Sequence, residues 1–334
     1  MRRVIARRWL VATLIALVFA ALLARDTGLA EIAQRLRELP PHALLLAALW
    51  LALAGFVRAL RLRLLLSSAI GVGQAYAFHQ IYNVVTAMVP TGLGEAASAW
   101  LLRRTLRVPL HLGLVALLVG RFLDLFVLLC LFLAVVLGGA TRLASGLEAL
   151  IPAAAGIALV MLVLGAGHVA SRGRLAALLE RWATQVRPDG RLRILARRGL
   201  RVLAESLHLL PRGGQAALLV LLTLVTQLVS LGALHALLEG AHLELGYAAA
   251  IVCFVVYILL RMLPIQGVGG IGTTAAWWAL ALRALGIAPD ESVTVGAVLY
   301  VAFTVLLVFL CLTALPLLWL GAPRAHREQP QRPG

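Results

Sequence analysis

From Gly246 to Leu282 the chain reads GYAAAIVCFVVYILLRMLPIQGVGGIGTTAAWWALAL. This stretch is long and apolar enough to cross a bilayer, for which roughly 20 apolar residues suffice. A continuous helix is nevertheless excluded. Pro264-Ile265-Gln266-Gly267-Val268-Gly269-Gly270-Ile271-Gly272 puts a proline and four glycines into its middle, and Pro and clustered Gly stop helices. Inside a membrane, interrupted backbone survives only where protein or a wet cavity covers its freed polar groups. A second stretch, Ala75–Leu102, has the same character and breaks at Pro90-Thr91-Gly92-Leu93-Gly94. Two interrupted membrane segments imply that other segments pack around them.

The rest of the chain supplies those segments. Of its 334 residues, 62% are hydrophobic and 13% charged, with a mean hydropathy of +0.97. Soluble domains are about 45–50% apolar and about 25% charged, and disorder requires low hydrophobicity, so both classes are excluded. Six runs have the length and character of crossings: Trp9–Ala24, Ala43–Val57, Leu112–Leu137, Leu150–Ala170, Gln215–Leu238 and Ser292–Leu320. The expected fold is an all-α polytopic membrane protein with about six membrane crossings and two broken re-entrant helical hairpins, about 75–102 and about 246–283. No stretch is long and polar enough for a soluble catalytic domain, which favours a transporter-like protein over an enzyme.

The basic residues orient this architecture. All 30 Lys+Arg residues are arginine. With the N-terminus in the cytoplasm, 23 arginines fall inside, five outside (Arg25, Arg35, Arg37, Arg142, Arg283) and two within the membrane (Arg121, Arg261). That is the positive-inside asymmetry, and it places both termini in the cytoplasm. The first hairpin then enters from the cytoplasm and the second from outside. In so apolar a chain, a formal net charge of +16 reads as topology signal and contact with anionic phospholipid, not as a nucleic-acid surface. The alternative reading of Trp9–Ala24 is a signal peptide. Cys130, Cys253 and Cys311 all lie within apolar runs and read as packing residues. No metal motif occurs, and no cofactor is implied.

An internal repeat relates the two halves. At an offset of 174 residues Pro90 meets Pro264, and Ala59-Leu60-Arg61 meets Ala233-Leu234-His235. After a four-residue shift, Gly92-Leu93-Gly94 meets Gly270-Ile271-Gly272 and Trp100 meets Trp278. Opposite charge-predicted orientations make this an inverted-topology repeat with discontinuous helices in matching positions. The expected organisation is a first membrane half (1–170), cytoplasmic basic amphipathic helices (171–212), a second membrane half (213–322) and a disordered basic tail (323–334). In the connecting segment, Leu175, Leu178, Leu179, Trp182 and Val186 recur at helical spacing among arginines. Such helices either lie on an anionic membrane surface or dock onto the cytoplasmic ends of the crossings.

Few charges sit at membrane depth, and these are the candidate site. Each costs about +2.5–3.5 kcal/mol on the insertion scale unless paired. Glu95 follows the first glycine break, near a half-helix N-terminus. Arg121 and Asp124 are three residues apart and share a helix face. Together the three form either a structural ion network or a polar site for a charged head group. Asn83, ahead of the first break, and Gln266, within the second, either bind ligand or satisfy freed backbone. Arg58 and Arg61 are interfacial anchors or lipid-phosphate ligands, with Arg103 and Arg261 as further candidates. The helix-break residues are Pro90, Gly92, Gly94, Pro264, Gly267, Gly269, Gly270 and Gly272. No arrangement supports nucleophilic catalysis.

The stretch Val57-Arg58-Ala59-Leu60-Arg61-Leu62-Arg63, followed by Asn83, Pro90, Gly94-Glu95, Arg103 and Gly120-Arg121-Phe122-Leu123-Asp124, resembles the lysylphosphatidylglycerol synthase transmembrane-region family. The proline-glycine break from Pro264 to Gly272 is similar to that family's second break. The resemblance covers roughly residues 5–320. It implies a flippase-like role, moving or presenting a phospholipid or lipid-linked head group across the bacterial inner membrane. It also implies membrane lipids as partners and, through 171–212, a possible cytoplasmic lipid-modifying enzyme. The aminoacyl-transferase domain of two-part relatives is not expected here. Thr273-Thr274-Ala275 stand where the family often carries a Glu, which argues against a site with one acid in each half. Two alternatives remain: a membrane-embedded transferase or accessory subunit acting on a lipid carrier, and a non-catalytic scaffold for a lipid-modifying enzyme.

Overall fold

A computed structural model describes residues 29–66, 70–89, 93–140, 150–170, 174–185, 214–262, 270 and 272–320, with a few positions between 197 and 204. The run Trp9–Ala24, the tail 323–334, Val186, most of 187–212, and the break residues Pro90, Gly92, Pro264, Gln266, Gly267 and Gly269 lie outside the described residues.

The described elements are all α-helical: α1 (Leu29–Glu38), α2 (Pro41–Leu65), α3 (Val72–Met88), α4 (Leu93–Leu106), α5 (Leu110–Leu137), α6 (Leu150–Ala170), α7 (Arg174–Gln185), α8 (Gly214–Gly240), α9 (Tyr247–Arg261), α10 (Thr273–Arg283), α11 (Pro289–Ala314) and α12 (Pro316–Leu320). Proline and glycine set their starts. Pro40 and Pro41 open α2, and Pro289 opens α11. At these positions an N–H is dispensable and a fixed φ is already helical. Gly71, Gly246 and Gly272 precede α3, α9 and α10.

The helices α2, α5, α8 and the α11–α12 run are long and apolar enough to cross a membrane. Their outward faces are also apolar. On α2, Leu45, Leu49, Leu53 and Phe56 are exposed, while Ala43, Ala47, Leu51 and Ala54 are buried. On α6, Leu159, Val160, Leu162 and Val163 are exposed. A helix apolar on its outer face as well as its inner one requires lipid around it. The protein is therefore an all-α polytopic membrane protein. Five of the six expected crossings coincide with described helices, and the sixth is the run outside the described residues.

The interrupted stretches are pairs of shorter helices, as the Pro/Gly breaks require: α3 and α4 around the first, α9 and α10 around the second. The order long helix, broken pair, long helix therefore occurs twice, as α2–α5 and α8–α11. Corresponding helices begin 173 to 180 residues apart. The packing follows the same two-fold. Within each half, neighbours pack in the same way. Across the halves α3 packs on α11 as α9 packs on α5, and α5 touches α8 as α11 touches α2.

The central α2–α8 pair carries the two-fold and reveals its direction. Going along α2, Ala43 lies against Gly240, Trp50 against Gly232, Arg58 against Ser230 and Arg61 against Thr223. One number rises as the other falls, so equivalent helices run antiparallel and the repeat is inverted. Small residues let the two backbones approach closely, as membrane interfaces require.

Beyond the two halves, α6 packs on α5 and α7 on α6. On α7, Leu179 and Ala183 are buried, whereas Leu178 and Trp182 are exposed. One edge of this helix is docked and another offers apolar side chains beside Arg181.

Candidate functional site

Two apolar cores divide the molecule. One takes in Leu51 on α2, Leu128 and Phe132 on α5 and Leu231 on α8; the other takes in Ala59 on α2, Leu123 on α5 and Leu219 on α8. Each of these helices passes from one core to the other along its length. The residues at the changeover are polar: Arg58 and Arg61 on α2, Asp124 on α5, and Thr223, Thr226, Gln227 and Ser230 on α8. They gather because each core rejects them and lipid rejects them more strongly.

Arg61 is the anchor. Its Nη1 donates to Asp124 Oδ1 at 2.6 Å and its Nη2 to Asp124 Oδ2 at 2.9 Å, a bidentate fork that matches guanidinium to carboxylate. Nη1 also donates to Thr223 Oγ1 at 3.2 Å. Gln227 Nε2 donates to Asp124 Oδ1 at 2.8 Å. Gly120 is part of the same design: a Cβ there would stand 3.1 Å from Arg61 Nη2, so the bare backbone leaves room for the guanidinium. The spacing Gly120, Arg121, Asp124 thus serves a residue on a different helix.

A second pair lies one helix away. Arg121 Nη2 and Glu95 Oε1 are 2.8 Å apart, and Arg121 Nε donates to the Tyr82 hydroxyl at 3.2 Å. Glu95 sits in the first turn of α4, where the helix dipole favours a carboxylate. Arg58 Nη2 donates to Ser230 Oγ at 3.1 Å. Arg261, at the end of α9, donates from Nη2 to the Thr86 carbonyl at 3.0 Å, near the end of α3. Helix ends carry orphan carbonyls, and here a cation from one half covers one belonging to the other. Gly270, at φ +68° within the second break, lies beside Ala87, also at the end of α3.

Between the halves lies a partly open cavity of about 450 Å³. Arg58, Arg61, Arg121 and Asp124 line one side and an aromatic group lines another. Tyr257 stacks on Trp278 at 3.8 Å between ring centroids with planes 4° apart, and Phe303 lies parallel to Trp278 at 5.7 Å. The charged wall comes almost wholly from the first half and the aromatic wall from the second. The backbone is two-fold; the site is not. Trp100, the repeat partner of Trp278, is 53% exposed and sits beside Arg104 instead.

Of the residues singled out from sequence, the cavity brings together Arg58, Arg61, Asn83, Arg121, Asp124 and Arg261, with Glu95 joined through Arg121. Arg103 is exposed near the end of α4 and does not line it. Gly94 is buried against Thr86 of α3, and Gly272 at φ +74° precedes α10. Arg121 and Asp124, expected in one network, take separate partners on α4 and α2. Sequence reading missed Thr223, Gln227 and Ser230. Their signal was present: with Thr226 they recur at helical spacing along the otherwise apolar run 215–238, a polar stripe. Tyr257 and Trp278 carried no such signal, since aromatics in an apolar run usually pack.

Apolar helices in an inverted repeat, with costly charges gathered at a cavity between the halves, define a helical integral membrane protein built around a polar site. The chain belongs to the lysylphosphatidylglycerol synthase TM region family, whose model matches residues 9–324. No curated protein and no solved structure matches the chain.

Proposed function

We propose that this protein moves a phospholipid or lipid-linked head group across the bacterial inner membrane, with both termini cytoplasmic. The observation that carries this reading is the cavity: a charged wall from one half faces an aromatic wall from the other. A polar head group is the moiety a membrane core rejects, and arginine with a half-helix N-terminus supplies what a phosphate needs. Acyl chains remain in the bilayer while the head occupies the cavity. The arginine distribution supports the orientation. Exposed Leu178 and Trp182 beside Arg181 on α7 support contact with anionic phospholipid at the cytoplasmic surface.

The test is head-group translocation in proteoliposomes, followed by loss of a fluorescent phospholipid from the leaflet open to a quencher. The wild-type protein accelerates it. Arg121→Gln and Glu95→Gln each slow it by about tenfold or more, the equivalent of one charge-assisted hydrogen bond of about 1.5–3 kcal/mol. Unchanged rates in both variants, with unfolding temperatures kept, would overturn the reading.

A further inference from the structure

Two contacts join residues to their own repeat equivalents. Helices α2 and α8 begin 173 residues apart, and α3 and α9 begin 175 apart. Arg58 on α2 donates to Ser230 on α8, 172 positions on. Arg261 on α9 donates to the carbonyl of Thr86 on α3, 175 positions away. In a two-fold arrangement the midpoint between equivalent points lies on the axis, so equivalents that touch sit against it. The two contacts therefore mark the course of the pseudo-two-fold axis. All four residues line the cavity, so the axis runs through it. The rest of the lining agrees. Tyr82 and Tyr257 keep the 175-residue spacing of α3 and α9, while Arg121 with Tyr300 and Asp124 with Phe303 keep the 179-residue spacing of α5 and α11.

Away from the axis the two-fold is not obeyed. At the end of the molecule where α2 stops and α3 starts, α3 meets α12: a Cβ on Gly73 would stand 3.8 Å from Leu317 Cβ. The equivalent contact at the opposite end would join Ala248, at the start of α9, to Gly138, just past α5. A Cβ on Gly138 instead finds its nearest neighbours in its own helix, at Ala134 and Val135. The seam between the halves is therefore made differently at its two ends. If each half took up the arrangement of the other, the off-axis contact would pass from one end to the other, and the contacts on the axis would stay where they are. In inverted repeats such an exchange is a rigid-body rocking of one half against the other. The bonding suits it. The bidentate fork of Arg61 on Asp124 lies within the first half and stiffens it, whereas Arg58 and Arg261 reach across the axis through single N–H groups, which can swivel.

We propose that the two halves rock as rigid bodies about an axis through the cavity, with the Arg58–Ser230 and Arg261–Thr86 contacts as pivots, so that the cavity opens to the two ends of the molecule in turn. The opening of the cavity rests on its reading as a translocation site. Arg61 to Thr223 and Gln227 to Asp124 also cross the halves, at spacings that place them off the axis, and are bonds of one state only.

The experiment uses the full chain in phosphatidylglycerol-containing proteoliposomes, with the native cysteines replaced. Gly73→Cys with Leu317→Cys puts two thiols across the off-axis seam at a Cβ separation of 3.8 Å, which suits a disulfide. Oxidation is expected to slow lipid translocation by about tenfold or more, and reductant restores it. Either single cysteine variant translocates as the parent does in both conditions. Distances between paired spin labels read the motion without transport. Labels at Arg107 and Leu315 span the halves at one end, and labels at Leu137 and Arg283 span them at the other; all four side chains are exposed. Each pair is expected to show a short and a long distance, the long one of the first pair being populated to the same extent as the short one of the second. Undiminished translocation by the oxidised double variant overturns the proposal, and so does a single distance in both label pairs. Should the double cysteine variant fail to fold, the label pairs decide. Coordinated distances in a protein that translocates no lipid sink the transport reading alone. Translocation with single distances sinks the rocking alone.

Discussion

Asp124 stands one helical turn from Arg121 on α5, yet its carboxylate takes the guanidinium of Arg61, 63 positions away in sequence. Spacing shows which residues share a face; it does not show what the neighbouring helix brings to that face. That neighbour is α2, and Gly120 is the gap through which Arg61 reaches Asp124. The consequence is measurable. Asp124→Asn leaves Arg61 facing a neutral amide and is expected to lower stability by about 3 kcal/mol, since removing one partner of a buried pair strands the other. Replacing both, as Arg61→Met with Asp124→Leu, recovers most of that loss. Unfolding in detergent, run as a double-mutant cycle, reads both numbers. A loss for the double variant equal to the sum of the singles would show that the pair is not coupled.

At the scale of elements, the breaks were legible because proline and clustered glycine act locally. Their structural meaning was not, because it depends on what lies opposite. The end of α3 meets the end of α9 through Arg261 and the Thr86 carbonyl, and Gly270 sits against both Ala87 and Thr274. A Cβ on Gly270 would stand 2.5 Å from Thr274 Oγ1, at a φ of +68° that costs an L-residue about 1–2 kcal/mol. Gly270→Ala is therefore expected to lower the unfolding temperature by a few degrees. Gly156→Ala on α6, where an added Cβ meets nothing within 4 Å, is expected to leave it unchanged or raise it. The polar stripe on α8 teaches a related lesson. Thr223 and Ser230 donate their hydroxyls to carbonyls of their own helix. Only the packing of α2 and α5 onto α8 makes them, with Gln227, ligands of Arg61, Asp124 and Arg58.

For the whole molecule, the antiparallel α2–α8 pair places the open ends of the two hairpins at opposite ends of the fold. A single cysteine at Arg107, just past α4, and one at Glu244, just ahead of α9, should react with an impermeant maleimide from opposite sides of the membrane, with the native cysteines replaced. Labelling of both from one side would contradict the inverted repeat. The membrane class, the two breaks, the repeat and its opposed orientations all follow from composition, proline and glycine, and arginine asymmetry, because each of those signals acts through the solvent or the local backbone. Which arginine holds Asp124, which tryptophan joins the cavity and which half supplies its charge follow from contacts between helices distant in the chain. Those contacts depend on side-chain shape at close range, and no spacing along a single helix records it.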